Sequence, residues 1–264
     1  MIIDAIVFQG VVETVGSEVT EFAVGDRVAA VNWATQRHDE AGETIAGAFA
    51  THITISSKKL SLIPTGVTDE QAAAIALVGT TAWQALFDAG AVNAGTRLLV
   101  LGGSTAVGAT AIQLAKAKGA WVATTASTRN LEFVQGWGAD RVINYETEKW
   151  DEVLTEVDAV LDATGEQQGW SRAEKIIKAG GTFVSLANAD VGYNPAGHPP
   201  LSFAAFFCLS NSRAVLDELL LRVGNGSLTI AIDEVFPFTE AGVKDLFRKN
   251  AEGKSKGKNL LRIA

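Results

Sequence analysis

The sequence predicts an α/β protein, a doubly wound parallel sheet joined to a β-rich segment. Three observations carry this. From Thr96 onward, short apolar runs alternate with helical patterns. Such alternation implies right-handed βαβ units and a sheet covered on both faces. The first of these runs breaks on glycines before an Ala-rich helix, in "LLVLGGSTAVGATAIQLAKAKGAWVATTAS", Leu98–Ser127. Residues 1 to about 65 read instead as β-branched runs separated by turns.

The 264 residues are enough for one large domain or two smaller ones. A hydrophobic share of 47% against 20% charged residues argues for a packed globular chain and against disorder. The net charge of −8 leaves no basic face for nucleic acid. A single cysteine, Cys208, excludes disulfide scaffolds and thiolate zinc clusters, and its apolar surroundings suggest inert core. "MIIDAIVFQGVVETVG" lacks the basic-then-apolar order of a signal peptide, and no apolar run looks long enough to span a bilayer. These features give a cytoplasmic protein as the expectation, with no membrane partner.

In chain order, "DAIVFQGVVETVG", "GDRVAAVNWA" and "GAFATHITIS" read as strands, and "KLSLIPTG" closes the β-rich region on a breaker. Thr68 to about Asp88 reads as a helix, with Thr68 and Gln71 at capping-box spacing. Gly79 and two threonines interrupt its middle. That pattern fits a helix whose Thr81 hydroxyl faces a ligand, and equally a small-residue helix crossing. The strands that follow are "RLLVL", "WVATTA", "RVINY", "AVLDATG" and "TFVSLA". The helices between them are "ATAIQLAKAKG", "NLEFVQGWG", "EKWDEVLTEV" and "WSRAEKIIKAGG". After a Pro/Gly loop, "GYNPAGHPP", come "LSFAAFF", a helix in "SRAVLDELLLRVGNG", a strand in "AIDEVFPF", a helix in "TEAGVKDLFRKNAEG" and a last strand in "GKNLLRIA".

A strand, a glycine turn and a helix form the context in which glycines admit a pyrophosphate to backbone N–H groups at a helix N-terminus. Here the turn is Gly102, Gly103, Ser104, Thr105, Ala106, Val107, Gly108, with Thr105 where a glycine is expected. No Gly-Lys-Ser/Thr follows, so this is not a Walker loop. The second strand ends Thr124-Thr125-Ala126-Ser127-Thr128-Arg129-Asn130, with no carboxylate to hold ribose hydroxyls. Arginine suits a phosphate, so NADP(H) is expected, with Ser127 and Arg129 at its 2′-phosphate. The competing reading is that Ser127 or Thr128 caps the next helix and Arg129 is merely solvated. Tyr145, ending the third strand, is placed to lie against the adenosine phosphate or simply to pack at the sheet edge.

"GVVETVGSEVTEFAVGDRVAAV", "LVGTTAWQALFDAG", "LGGSTAVGATAIQLAKAKGA", "GADRVINY", "LDATG", "KAGGTFVSL" and "GKNLLRI" together resemble the zinc-independent quinone oxidoreductase and enone reductase branch of the medium-chain dehydrogenase/reductase superfamily. The resemblance implies a Rossmann-type doubly wound sheet plus a partial GroES-like β-barrel domain. It implies residues 1–76 with 210–264 as the GroES-like domain and 77–209 as the NADP-binding domain. NADPH contacts carry over to Thr81, to Gly103, Ser104, Thr105, Ala106 and Val107, and to Ser127, Arg129 and Tyr145. The strand ends Ala163-Thr164, Leu186, Asn188 and Phe207 would flank the nicotinamide.

No metal is implied. The zinc branch needs ligands that a chain with one cysteine and scattered His38, His52 and His198 does not offer. The family has further barrel strands before "GVVETVG", so the chain reads as N-terminally shortened. The implied activity is hydride transfer from NADPH to a quinone or an α,β-unsaturated carbonyl, by a homodimer paired near "LANADVGYNPAGH". No proton donor is assigned. The rival expectation is an NADP(H)-binding sensor or interaction protein without redox activity.

Overall fold

The computed structural model describes residues 7–32, 47–189 and 201–263. Its contacts divide the chain into two compact units, Met1–Thr80 with Leu209–Ala264, and Thr81–Cys208.

In the first unit, β1 (Val7–Val11), β2 (Arg27–Val31) and β3 (Leu60–Leu62) form an antiparallel sheet in that order. Alternation sends Val28, Ala30 and Leu60 inward, where they pack with Phe22. "GAFATHITIS" forms no strand: its backbone joins no ladder, although Ala48 is buried. Alternating apolar residues need a partner strand before they pair, and none of the described residues supplies one.

Helix α1 (Asp69–Trp83) starts on the expected capping box. The Gln71 N–H donates to Thr68 Oγ1 at 3.2 Å, and the Thr68 N–H donates to Gln71 Oε1 at 2.9 Å. A Cβ on Gly79 would stand 2.8 Å from both Ile75 Cδ1 and Leu219 Cδ1. Leu219 lies on α6 (Arg213–Gly224), so Gly79 serves a close helix crossing. The helix continues as a π-helix over Gln84–Ala89. At 21 residues, Asp69–Ala89 is long and apolar enough to cross a membrane, contrary to the sequence reading; most of it is buried inside the protein, as in a core helix. The unit closes with β10 (Ile232–Pro237), α7 (Glu240–Ala251) and β11 (Lys258–Arg262), the two strands pairing in parallel.

The second unit holds six parallel strands: β4 (Arg97–Leu101), β5 (Trp121–Ala126), β6 (Arg141–Asn144), β7 (Val157–Asp162), β8 (Ile177–Ser185) and β9 (Phe203–Phe206). Their order is β6-β5-β4-β7-β8-β9. The winding therefore reverses between β4 and β7, at the topological switch point where ligands of such sheets bind. "LSFAAFF" supplies the sixth strand, parallel to β8. The helices are α2 (Ala106–Ala117), α3 (Leu131–Gln135), α4 (Trp150–Val153) and α5 (Gly169–Ala173).

Two helices are shorter than the sequence suggests. "EKWDEVLTEV" keeps one turn of helix, because Trp150 and Leu154 both insert into the core and Glu156 turns left-handed (φ 53°) to enter β7. The second half of "WSRAEKIIKAGG" is strand. Ile177 pairs with Val157, and the register shift is absorbed at Gly180 (φ 77°) and Gly181, whose Cβ would stand 2.7 Å from Asp158 O. Cys208, expected in the core, is exposed.

Below the sheet, Arg172 stacks 4.2 Å from the Trp150 ring and ion-pairs with Asp151, which Lys175 also contacts. Burial would raise the Asp151 carboxyl, but the Arg172 and Lys175 hydrogen bonds outweigh it and hold it at about 2, down from 3.8.

Two predictions follow from this packing. Thr68→Ala removes an exposed cap and should cost about 1 kcal/mol by urea unfolding. The Asp151 contribution is present above pH 3.8 and lost as the pH falls toward 2. The stability gap between wild type and Asp151→Asn should therefore narrow by about 2 kcal/mol between pH 5 and pH 2; a gap independent of pH would remove the ion pair's role.

Candidate functional site

The site is built on the turn from β4 to α2. Gly102 adopts φ 89°, and its N–H donates to Thr125 Oγ1 at 3.0 Å. The Gly103 N–H donates to Thr125 O, also at 3.0 Å. Both glycines are buried against side chains: a Cβ on Gly102 would stand 2.5 Å from Thr164 Cγ2, and one on Gly103 would stand 2.4 Å from Thr124 Oγ1. Thr124 in turn donates to Val100 O at 2.8 Å. The turn thus rests on two buried threonine hydroxyls of the neighbouring strand.

Thr105, in the place expected for glycine, is the N-cap of α2. Its hydroxyl accepts from the Gly108 N–H and donates to Gly102 O, both at 2.9 Å. The same atom therefore closes the turn and starts the helix. The next two N–H groups, on Ala106 and Val107, meet no acceptor among the described residues, and Ser104 to Val107 are half-buried. This leaves open donors at a helix N-terminus, on the carboxyl edge of the sheet, beside the switch point.

Across that switch point, the loops after β7 and β8 are tied together by Asp162. It is buried, and its Oδ1 accepts from the Thr164 N–H, the Thr164 hydroxyl and the Gly165 N–H at 2.8–3.0 Å. Its Oδ2 accepts from Ser185 Oγ at 3.3 Å, and Ser185 Oγ accepts from the Asn188 N–H at 3.1 Å. Gly165 (φ 72°) lets the two loops approach, since a Cβ there would stand 2.8 Å from Ala187 Cβ. Ala163, Thr164, Leu186 and Asn188 are thereby held on one edge, and the Phe207 N–H joins them by donating to Ser185 O at 2.8 Å. Among the strand ends, Thr164 is exposed while Ala163, Leu186, Asn188 and Phe207 are half-buried.

The ends of β5 and β6 form a second cluster. Ser127 precedes a 3-10 turn, Thr128–Asn130, yet makes no side-chain cap bond. Its hydroxyl is buried without a partner among the described residues, so the capping reading fails for Ser127. Asn130 Oδ1 is likewise buried and unpaired. Thr128 is held by Glu146: its N–H donates to Glu146 Oε2 at 3.1 Å and its hydroxyl at 2.5 Å. Asn144 Nδ2 donates to Thr128 Oγ1 at 2.9 Å. These Thr128 bonds, hydroxyl first, hold the Glu146 carboxyl below the usual carboxylate range, with a smaller contribution from the Arg129 charge. Arg129 is exposed, and so is Tyr145, whose N–H donates to Ala126 O. Thr81 stands outside both clusters, half-buried in the last turn of α1.

The sequence reading missed four residues that organise these clusters: Thr124, Thr125, Asp162 and Glu146. Polar residues inside apolar strands were the available signal for the first three. Glu146 carried none, because its relation to Thr128 is spatial. Among the described residues, no group of three His, Cys, Asp or Glu side chains could hold a metal ion. Among the described residues His52 hydrogen-bonds with Thr51 and Glu13, and His38, His198 and most of "LANADVGYNPAGH" lie outside the described residues.

Sheet order and glycine turn define a doubly wound α/β protein with open N–H donors beside its switch point, an arrangement that suits an anion. Comparison with known proteins sharpens this. Residues 5–65 match the alcohol dehydrogenase GroES-like domain, and residues 106–223 match the family described as zinc-binding dehydrogenase. The chain is 35% identical over 240 residues to "NADPH-dependent alkenal/one oxidoreductase, chloroplastic" of Arabidopsis thaliana, covering 90% of this chain and 58% of that protein. It is 30% identical to the human protein "NAD(P)H oxidoreductase RTN4IP1, mitochondrial", covering 96% of this chain and 68% of that one. The solved quinone oxidoreductase of Coxiella burnetii superposes with a TM-score of 0.84 at 29% identity, over 98% of this chain and 78% of that one. The chain belongs to the medium-chain dehydrogenase/reductase superfamily, a family of oxidoreductases.

One prediction tests the turn's foundation. Thr125→Val keeps the shape but strands the Gly102 N–H, and should destabilise the protein by about 1–3 kcal/mol. Denaturant midpoints unchanged from wild type would show that the turn does not depend on this bond.

Proposed function

We propose that the chain binds NADP(H) and transfers hydride to a quinone or an α,β-unsaturated carbonyl compound, without zinc. The observation that carries this reading is the glycine turn. Its glycines leave no room for a Cβ, and its open N–H groups face the switch point. Gly103, Ser104, Thr105, Ala106 and Val107 would receive the bridging phosphates. The buried, unpaired Ser127 hydroxyl and the exposed Arg129 fit a 2′-phosphate, and Tyr145 would lie along the adenosine side. Thr81, Ala163, Thr164, Leu186, Asn188 and Phe207 would flank the nicotinamide, which supplies the hydride when bound.

The work left to the protein is to position the two partners and polarise the acceptor carbonyl. Asp162 serves the first task by fixing both strand-end loops. The relatives support the substrate classes: the Arabidopsis relative is an NADPH-dependent alkenal/one oxidoreductase, and the Coxiella neighbour a quinone oxidoreductase. Since the chain spans only 58% of the Arabidopsis protein, activity is tested on the chain itself.

The test pairs calorimetry with NADPH consumption over a panel of quinones and alkenals. Turnover supports the full reading. Tight NADPH binding with no turnover on any acceptor would leave a non-catalytic NADP(H)-binding protein. Arg129→Ala should weaken NADPH about tenfold more than NADH, as expected for losing a charge-assisted contact to one phosphate; equal losses would remove the phosphate assignment.

A further inference from the structure

The second strand of the sheet ends without a carboxylate, yet one reaches the same edge from the third. Glu146 lies two residues beyond β6, and its Oε2 takes both the N–H and the hydroxyl of Thr128. Thr128 stands between Ser127, whose buried hydroxyl has no partner among the described residues, and Arg129. Asn144 steadies the arrangement from below through Thr128 Oγ1, and its Oδ1 accepts from the Glu146 N–H at 3.1 Å. The carboxylate therefore occupies, with the sign of charge a phosphate would bring, the donors of Thr128, which lies between the two residues assigned to the 2′-phosphate.

Resting on that assignment, we propose that Glu146 is a cofactor-specificity residue: it penalises the 2′-phosphate and leaves the pocket open to both NADPH and NADH. Two effects act together. A phosphate at Ser127 and Arg129 would meet a like charge held on Thr128, the residue between them, and neighbouring like charges repel even near the surface. It would also have to displace Glu146 before it could use the Thr128 donors. NADH, with a plain 2′-hydroxyl, meets neither obstacle and offers the carboxylate a hydroxyl donor of the kind it now finds in Thr128. The geometry is a set of hydrogen bonds between exposed side chains, which a competing anion can break.

The experiment measures dissociation constants of NADPH and NADH by calorimetry for the wild-type chain and for Glu146→Gln. The substitution is isosteric and exposed, so circular dichroism should show an unchanged fold. NADPH should bind the variant about tenfold more tightly than wild type, the scale of one removed like charge at this exposure. NADH should change by about twofold or less, or weaken. The fragments 2′,5′-ADP and 5′-AMP should repeat the contrast without the nicotinamide half. NADPH affinity equal in both proteins, or NADH gaining as much as NADPH, would overturn the role of Glu146 while leaving the dinucleotide site intact. Binding of neither dinucleotide to either protein would overturn the site reading and this proposal together.

Discussion

The structure depends on one close approach. A Cβ on Gly108 would stand 2.1 Å from Gly102 O, so the first turn of α2 sits against the backbone of the turn that precedes it. No other residue fits there without moving the helix. Given that contact, Thr105 can reach both Gly102 O and the Gly108 N–H with one hydroxyl, and the direction of α2 is set. Its N-terminus then meets the carboxyl edge of the sheet, where the dipole and the open N–H groups favour an anion. The threonine in place of the customary glycine keeps this geometry. Thr105 lies in the extended region (φ −72°, ψ 156°), which any L-residue adopts, so the position has no need of a glycine.

The opposite bank of the crevice is organised differently. There a side chain, Asp162, replaces backbone contact as the fastener. One carboxylate oxygen gathers three donors from the loop after β7, and the other reaches Ser185 at the end of β8. A buried carboxylate is tolerated only when it is fully hydrogen-bonded, and this one is. The two banks meet where Gly102 faces the Thr164 methyl. The loops after β7 and β8 are thus held to a fixed edge by the two adjoining strands.

How far the sequence discloses this follows from the range of each interaction. The βα rhythm, the capping box at Thr68 and Gln71, and the helix stop at Gly119 (φ 87°) are local, and they were legible. Gly102, Gly103 and Gly108 were legible as a motif, though not the reason each is needed. "IIKAGG" misled because a helix end and a bulged strand share the same glycines; only the pairing of Ile177 with Val157 decides. "GAFATHITIS" misled because alternation is necessary for a strand and not sufficient. Cys208 was misread from apolar neighbours in sequence that do not cover it in space.

The edge where β5 and β6 end shows the same limit in electrostatic form. The rule that an acid at the end of the second strand favours a bare ribose treats that strand as if it alone lined the pocket. In a parallel sheet all strands end on one edge, so the neighbour can deliver the charge. Here "RVINYETE" does so, with its carboxylate two residues past the strand. Because Glu146 and Thr128 are exposed, their bonds exchange readily with water and are worth little to stability. A charge held so lightly adds almost nothing to the fold, yet an anion brought to the Thr128 donors must still displace it. On the proposed reading, cofactor specificity at this edge changes by single surface substitutions while the buried turn beneath it stays fixed.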